Sequence, residues 1–306
     1  MKIAFLILAH KNPEQLGELI RRLDSSSSLF YIHIDIKVDI TPFKKVTKNF
    51  DNVFWVKREN GRWGDFGIVK ATINALFKAQ AYSDEISHYV LLSGQDYPLL
   101  SIEEIITFFN KNHHTSFIEH EPLPIPRLNY SGYDRINCYS FNLKNKRHTV
   151  IPLSWKPKFS LKGHLLNILL MPILFFRKKR THPSYADPYY GSQWWVLNSD
   201  LCKEVIKFIE NNPDFLSYHS STLLPDEMFF QSIVGTIHKH SGKKEERINI
   251  ENENLHFIVW NDKSNHPQTL LENDYKRMIS SKKLFARKFD YINSRKLIEK
   301  LNERSE

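Results

Sequence analysis

The chain has 306 residues, 41% of them hydrophobic and 25% charged, with a formal net charge of +9 and a pI of about 9.3. These values exclude a disordered or collagen-like chain and suit one large α/β domain or two small ones. The positive balance calls for an anionic partner, and nucleic acid, phospholipid and nucleotide phosphate all qualify. Only Cys138 and Cys202 are present, which excludes a disulfide framework and a four-thiolate zinc site and favours a reducing compartment.

Met1 to Leu8 carries one lysine and a short apolar run before His10 and Lys11. It is too short for a signal-peptide core or a membrane span, so Ile3 to Leu8 reads as a strand buried on both faces. Asn12-Pro13, with Gln15, has the form of a capping box opening a helix whose stripe is Leu16, Leu19, Ile20 and Leu23. Phe30 to Lys37 alternates, with Tyr31, His33 and Asp35 sharing one face. A short strand near Val53 to Val56 and a helix from Ile68 to Ala81 follow. His88 to Ser93 is a buried strand broken by Gly94 to Pro98, Ser101 and Glu104 cap the next helix, and Thr115 to Glu119 is a further strand. Strands separated by helices in this way predict a doubly wound, mostly parallel sheet with helices on both faces. Ligands in such sheets bind beyond the carboxyl ends of the strands, where His33, Asp35, Asp96 and Glu119 fall.

Residues 120–190 show no clear period. Within them Leu165 to Phe176 is almost wholly apolar and is followed by Arg177-Lys178-Lys179-Arg180. Two readings fit: peripheral contact with a membrane surface through 165–180, or a core helix. Gln193 to Leu197 reads as a strand, Asp200 as the cap of a helix ending near Asn211, Pro225 as the start of another helix, and Asn254 to Trp260 as a strand, with a helical, basic remainder. The expected organisation is a single domain, 1–306, in two halves, 1–120 and 121–306.

Several site signatures are missing: the glycine-rich dinucleotide fingerprint, the P-loop, the nucleophile elbow and His-Glu-x-x-His. No Asp-x-Asp occurs, so the carboxylate pair that often holds a divalent ion beside a nucleotide-sugar is lacking, and no metal is expected. Lys282, Lys283, Arg287 and Lys288 form a basic cluster that could neutralise a leaving diphosphate directly, or could be a solvated helix end. Asp226 and Glu227 follow Pro225. First-turn carboxylates face the positive end of the helix dipole, which would keep Glu227 ionised as a general base, while Asp226 would cap the helix.

At these residues the sequence resembles glycosyltransferase family 14, the branching β-1,6-N-acetylglucosaminyltransferases and peptide O-xylosyltransferases. The pieces in order are Ala9-His10-Lys11, Ile32-His33-Ile34-Asp35, Arg62-Trp63-Gly64, Leu92 to Pro98, Gly191-Ser192-Gln193-Trp194, Pro225-Asp226-Glu227 and Leu284 to Asp290. The resemblance implies a GT-A-type fold with a nucleotide-binding half (1–120) and an acceptor-binding, catalytic half (121–306), and inverting transfer of N-acetylglucosamine or xylose from a UDP-sugar to a glycan, lipid-linked glycan or peptide, without a metal. By matching motif Glu227 is the catalytic base. Asp35, with His33 and Trp63, lies against the uridine, and Lys288 contacts the diphosphate. A second diphosphate arginine of the branching enzymes falls near His256, so either His256 when protonated or Arg287 takes its place. Asp96, Arg135, Gln193 and Trp194 are assigned to the acceptor side, Gln193 standing where the xylosyltransferases carry an aspartate. Luminal relatives carry disulfides and a membrane anchor. Their absence here implies a bacterial, cytoplasmic relative, peripheral to the inner face of the plasma membrane. Nucleic-acid binding without catalysis is the alternative, but the C-terminal cations have few interleaved aromatics on which bases could stack.

Overall fold

The computed structural model describes residues 1–82, 85–143, 146–157, 160–172, 180–241, 249–260 and 266–304. Strand β1 (Lys2–Ala9) runs parallel to β2 (Ser28–Ile34) and to β4 (Ile86–Ser93), while β2 pairs in parallel with β3 (Val53–Trp55). Beyond β4 lie β11 (Trp195–Asn198), β6 (Thr115–Ile118) and β12 (Asn249–Glu251), giving the order β12-β6-β11-β4-β1-β2-β3. Only β11 is antiparallel to its neighbours. This is the expected doubly wound, mostly parallel sheet. Strands β11 and β12 come from the second half of the chain and complete the sheet begun by the first.

The period-2 alternation of β1 sorts its side chains onto two faces. Ile3, Phe5 and Ile7 join Leu16, Leu19 and Ile20 of α1 (Pro13–Leu23) and Ile102, Ile105 and Phe109 of α4 (Ile102–Lys111). Ala4 and Leu6 join Val69, Ala75 and Leu76 of α3 (Phe66–Tyr82) and residues of the helices Ser199–Asn211 and Phe229–Ser241. Each of these large apolar side chains contributes about 1.5–3 kcal/mol on full burial. Between α1 and α3 lies the short α2 (Thr41–Val46). A second sheet, β13 (His256–Ile258), β14 (Phe285–Arg287) and β5 (Asp96–Pro98), brings the C-terminal segment against the carboxyl edge of the main sheet. Tyr97, Leu270, Phe289 and Leu297 pack beneath it. Gly94 permits this corner, since a Cβ there would lie 2.8 Å from Ala9 Cβ.

Several sequence-based expectations change. Asn12 adopts a left-handed conformation (φ 53°) and makes no cap; its amide instead reaches Asp290 Oδ2 at 3.4 Å, and Gln15 Nε2 donates to the Phe289 carbonyl at 3.3 Å. The predicted capping box is thus replaced by a tie to the far end of the chain. The Ser101–Glu104 box forms as expected. The helix Ser199–Asn211 is capped by Asn198, which accepts the Leu201 amide at 3.0 Å, and not by Asp200. Pro225 opens a 3₁₀ turn, Pro225–Glu227, and the α-helix starts only at Phe229. The remainder expected to be helical contains β14.

The stretch without period holds the edge pair β7 (Glu121–Pro122) and β10 (Tyr189–Tyr190), the short α5 (Tyr133–Asn137), a hairpin of β8 (Tyr139–Leu143) and β9 (Lys146–Val150), and α6 (Leu161–Leu170). Of the predicted membrane-contact stretch 165–180, residues 173–179 lie outside the described residues. Among the described residues no helix is long and apolar enough to cross a membrane. Cys138 and Cys202 are free and buried.

Candidate active site

A cleft of about 1300 Å³ lies beyond the carboxyl ends of β1, β2 and β4. Asp35, the residue after β2, is held at one end of it. Its Oδ1 accepts the Lys37 amide and its Oδ2 the Gly61 amide, both at 2.8 Å. His33 Nε2 accepts the Glu59 amide at 2.8 Å, and burial lowers its pKa, so the neutral ring carries its proton on Nδ1. Both side chains therefore also brace the loop 57–63, which presents a half-exposed Trp63 at the rim, edge-on to His266 at 5.9 Å.

Cations line the middle of the cleft. Arg287, at the end of β14, donates through Nη1 to Asp96 Oδ1 at 3.1 Å and lies 4.2 Å over the Trp194 ring. Asp96 is fully buried and does not line the cleft. It also accepts the Ser93 amide and hydroxyl, each at 2.7 Å, and faces His256 Nε2 at 3.5 Å. Burial opposes its ionisation, but Arg287, His256 and the Ser93 amide together outweigh that and hold the carboxyl below its ordinary range. Its expected place against the acceptor is therefore corrected: the side chain has no surface open to the cleft. His256 is likewise buried, with Nδ1 2.8 Å from the Asn254 carbonyl oxygen and its ring tilted against Trp194, so of these two side chains Arg287 is the more open to the cleft. Lys288 follows it. Burial first, then the charges of Lys11 and Arg287, lower its pKa, a repulsion that a bound anion would relieve. Lys283 also lines the cleft but is paired with Glu253 at 2.5 Å.

Carboxylates line the other end. Leu224, at φ 51°, turns the chain into Pro225–Glu227. Glu227 Oε2 lies 3.4 Å from Arg135 Nη2, and Tyr190 lines the same end of the cleft. Burial, then the charge of Asp226, raise the Glu227 pKa to about 7 against the pull of Arg135. Burial raises Asp226 to about 6, and its Oδ1 has no hydrogen-bond partner. The expectation that a helix dipole keeps Glu227 ionised is thus overturned, because the helix begins two residues later and desolvation dominates. Asp226 caps nothing. Arg135 also faces Asp134 Oδ1 at 3.5 Å and lies 5.1 Å over the Tyr190 ring. Gln193 and Trp194 line the cleft between the two ends.

Of the residues that hold this arrangement, the sequence marks Glu119 only as a strand-end residue and carries no signal for Gln231 or Tyr190. Glu119 accepts Asn254 Nδ2 at 2.8 Å and the Ser192 amide at 3.1 Å. Gln231 donates to the Ser192 carbonyl at 2.6 Å. Tyr190 is held near Glu227, and burial together with that carboxylate pushes its phenol up to about 12. Only Glu119, at a strand end, carried a positional signal. Among the described residues no three His, Cys, Asp or Glu side chains converge as a metal-ligand group.

The family model of the Core-2/I-Branching enzyme matches residues 3–281. The chain belongs to the core-2/I-branching family. It is 23% identical over 239 residues to a β-1,3-galactosyl-O-glycosyl-glycoprotein β-1,6-N-acetylglucosaminyltransferase of Danio rerio, covering 76% of this chain and 49% of that protein. A β-glucuronosyltransferase of Arabidopsis thaliana is 22% identical, with 94% of this chain and 63% of that one covered. Human xylosyltransferase 2 is also 22% identical, with 99% and 33% covered. The chain thus spans from a third to under two thirds of the length of these relatives. Among solved structures, a 4-diphosphocytidyl-2C-methyl-D-erythritol synthase from Anaerococcus prevotii superposes with a TM-score of 0.39 and 9% identity, covering 92% of this chain and 95% of that one.

In this branching-family chain the raised pKa of Glu227 has a consequence for stability. A carboxyl moved from an ordinary 4.5 to about 7 binds its proton more tightly folded than unfolded. The stability linked to that proton is present below about pH 4.5 and is lost as pH rises through 7. Glu227→Gln removes this loss. Calorimetry should find the variant more stable than the parent at pH 8, with the difference shrinking toward pH 5; an equal difference at both pH values would show that burial does not govern this carboxyl.

Proposed function

We propose that this protein is an inverting, metal-independent glycosyltransferase that moves N-acetylglucosamine or xylose from a UDP-sugar to a hydroxyl of a glycan, lipid-linked glycan or peptide, with Glu227 as general base. The observation that carries this reading is the division of one cleft between cations and a carboxyl whose pKa lies near neutrality. Family membership supports the reaction class, and the named relatives differ in the sugar they move.

In the proposed reaction the nucleoside lies against Asp35, His33 and Trp63, and its diphosphate against Arg287 and Lys288. The acceptor hydroxyl approaches from the side of Glu227 and Arg135. As its oxygen bonds to the anomeric carbon, the bond from that carbon to the diphosphate breaks and UDP leaves with the electron pair. Glu227 takes the hydroxyl proton. A carboxylate with a pKa of about 7 is a stronger base than an ordinary one and is substantially ionised at physiological pH. Charge grows on the leaving phosphate during this step, so preorganised cations there stabilise the transition state more than the ground state. Side chains that neutralise the diphosphate directly leave no step that needs a metal ion.

Three experiments test the reading. Glu227→Gln keeps size and hydrogen bonding but removes the basic charge. Transfer should fall by about 10²- to 10⁴-fold, while UDP affinity by calorimetric titration stays close to the parent value; transfer at the parental rate, or lost UDP binding, would reassign the residue. Lys288→Ala should differ in also weakening UDP binding, with turnover lowered by about 10²-fold, and normal values for both would move the role to Arg287. Transfer should also persist in excess EDTA. Its loss on chelation and return with manganese would mean that the diphosphate is held through a metal.

A further inference from the structure

Helix α6 is built inside out. Its one buried residue is Asn167, whose amide nitrogen donates to the Ile151 carbonyl at 2.9 Å while its oxygen accepts the Ile151 amide at 3.0 Å. Facing outward are Leu161, Leu165, Ile168 and Leu169, exposed by 78%, 62%, 52% and 74%. Their spacing of three and four residues makes one continuous stripe. Leu153, on the preceding 3₁₀ turn, is 50% exposed as well. A surface helix ordinarily turns its apolar side inward and its polar side to water, and this one does the reverse.

Charge decides what covers such a stripe. From residue 135 to residue 186 the sequence holds eleven lysines and arginines and no aspartate or glutamate. The rest of the chain, with 32 cations and 34 anions, is slightly acidic, so this segment accounts for the whole positive balance. Three of the cations, Arg135, Arg147 and Arg180, are turned into the protein. Lys156 and Lys162, beside the apolar stripe, are exposed. An apolar stripe beside exposed cations, in a segment without carboxylates, matches an anionic lipid surface, where hydrocarbon and negative headgroups lie side by side. A second copy of the chain would instead bring two cationic surfaces together.

We propose that α6 and the turn before it dock this protein onto an anionic phospholipid bilayer. A ten-residue helix is about 15 Å long, half of what a bilayer core requires, so it lies in the interface and does not span. Trp155, on the same turn as Leu153, packs against Tyr130 at 5.4 Å. Asn129, next to Tyr130, lines the cleft. Docking therefore brings the acceptor end of the cleft toward the lipid surface. That consequence rests on the proposed transfer reaction, whereas the docking itself does not.

The test is co-sedimentation of the full chain with vesicles of phosphatidylcholine alone or mixed equally with phosphatidylglycerol. The parent should pellet with the anionic vesicles, weakly with the neutral ones, and less as salt is raised. Leu161→Ser, Leu165→Ser and Leu169→Ser together should lower partitioning by about tenfold or more, with melting temperature and UDP binding unchanged because all three side chains already face outward. Lys156→Glu with Lys162→Glu should weaken binding to anionic vesicles only. The proposal is overturned if the parent stays in solution with anionic vesicles, or if the triple variant binds them equally well. It is also overturned if sedimentation velocity finds a dimer of the parent that the triple substitution dissolves, since the stripe would then be an interface between copies.

Discussion

A single buried carboxylate fixes the geometry on which the rest of the cleft depends. Asp96 has no exposed surface, and an unpaired charge in that position would cost several kcal/mol. Its partners come from three separated parts of the chain: Ser93 at the end of β4, His256 on β13 and Arg287 on β14. Satisfying Asp96 therefore docks the small sheet onto the carboxyl edge of the large one. It also decides where Arg287 points. With its guanidinium held by Asp96 and stacked on Trp194, Arg287 keeps only 13% of its side-chain surface open. A cation restrained in this way needs no reorganisation to meet a phosphate, the condition under which electrostatic stabilisation is most effective.

The other end of the cleft treats the same chemical group in the opposite manner. Asp96 is surrounded by donors and its pKa falls, whereas Glu227 and Asp226 are desolvated beside one another, with Arg135 3.4 Å from Glu227, and theirs rise. Environments that push carboxyl pKa values apart separate carboxylates that hold a fold together from those available for proton transfer. Because Asp226 and Glu227 are adjacent and interact, titration in this region belongs to the pair as much as to either residue. The orphaned Asp226 Oδ1 fits that picture: neutralising Asp226 removes a charge that its own surroundings do not compensate.

Much of this was legible in the sequence, for reasons that also mark where legibility ends. Continuous apolar runs and helical stripes record burial along one element, so β1, β2, β4, α1, α3 and α4 could be placed from periodicity. The motif around Pro225-Asp226-Glu227 pointed to the carboxylates at the end of the cleft. The environment of those residues could not be read, because it is made by distant segments. Glu227 meets Arg135, 92 positions away, and Arg287 meets Asp96, 191 positions away. A strand-end aspartate facing a ligand and one facing a buried arginine look alike in sequence, so Asp96 was placed on the wrong side of its own strand end. Asn12 shows the same limit, for its cap chemistry is diverted to Asp290 across 278 residues. Helix α6 admits two readings in sequence, membrane contact and core helix, for another reason: its leucines do not keep to one narrow face, so no period separates inside from outside.

The antiparallel course of β11 joins the two ends of the cleft. In a doubly wound sheet the binding edge is built from the residues that leave the parallel strands, and a strand running the other way supplies that edge with the residues that enter it. The segment from Tyr190 to Trp194, just before β11, therefore reaches into the cleft. Tyr190 lies beside Glu227 at one end of this segment, and Trp194 lies under Arg287 at the other. Between them Gly191 donates to the Glu227 carbonyl at 3.0 Å, Ser192 is held by Glu119 and Gln231, and Gln193 lines the cleft. Gly191 is required there, since a Cβ would fall 1.9 Å from the Glu119 carbonyl oxygen. In the proposed reaction the leaving group and the attacking hydroxyl must lie on opposite sides of one carbon. Five consecutive residues that touch both the cation and the base give the protein a rigid ruler for that distance.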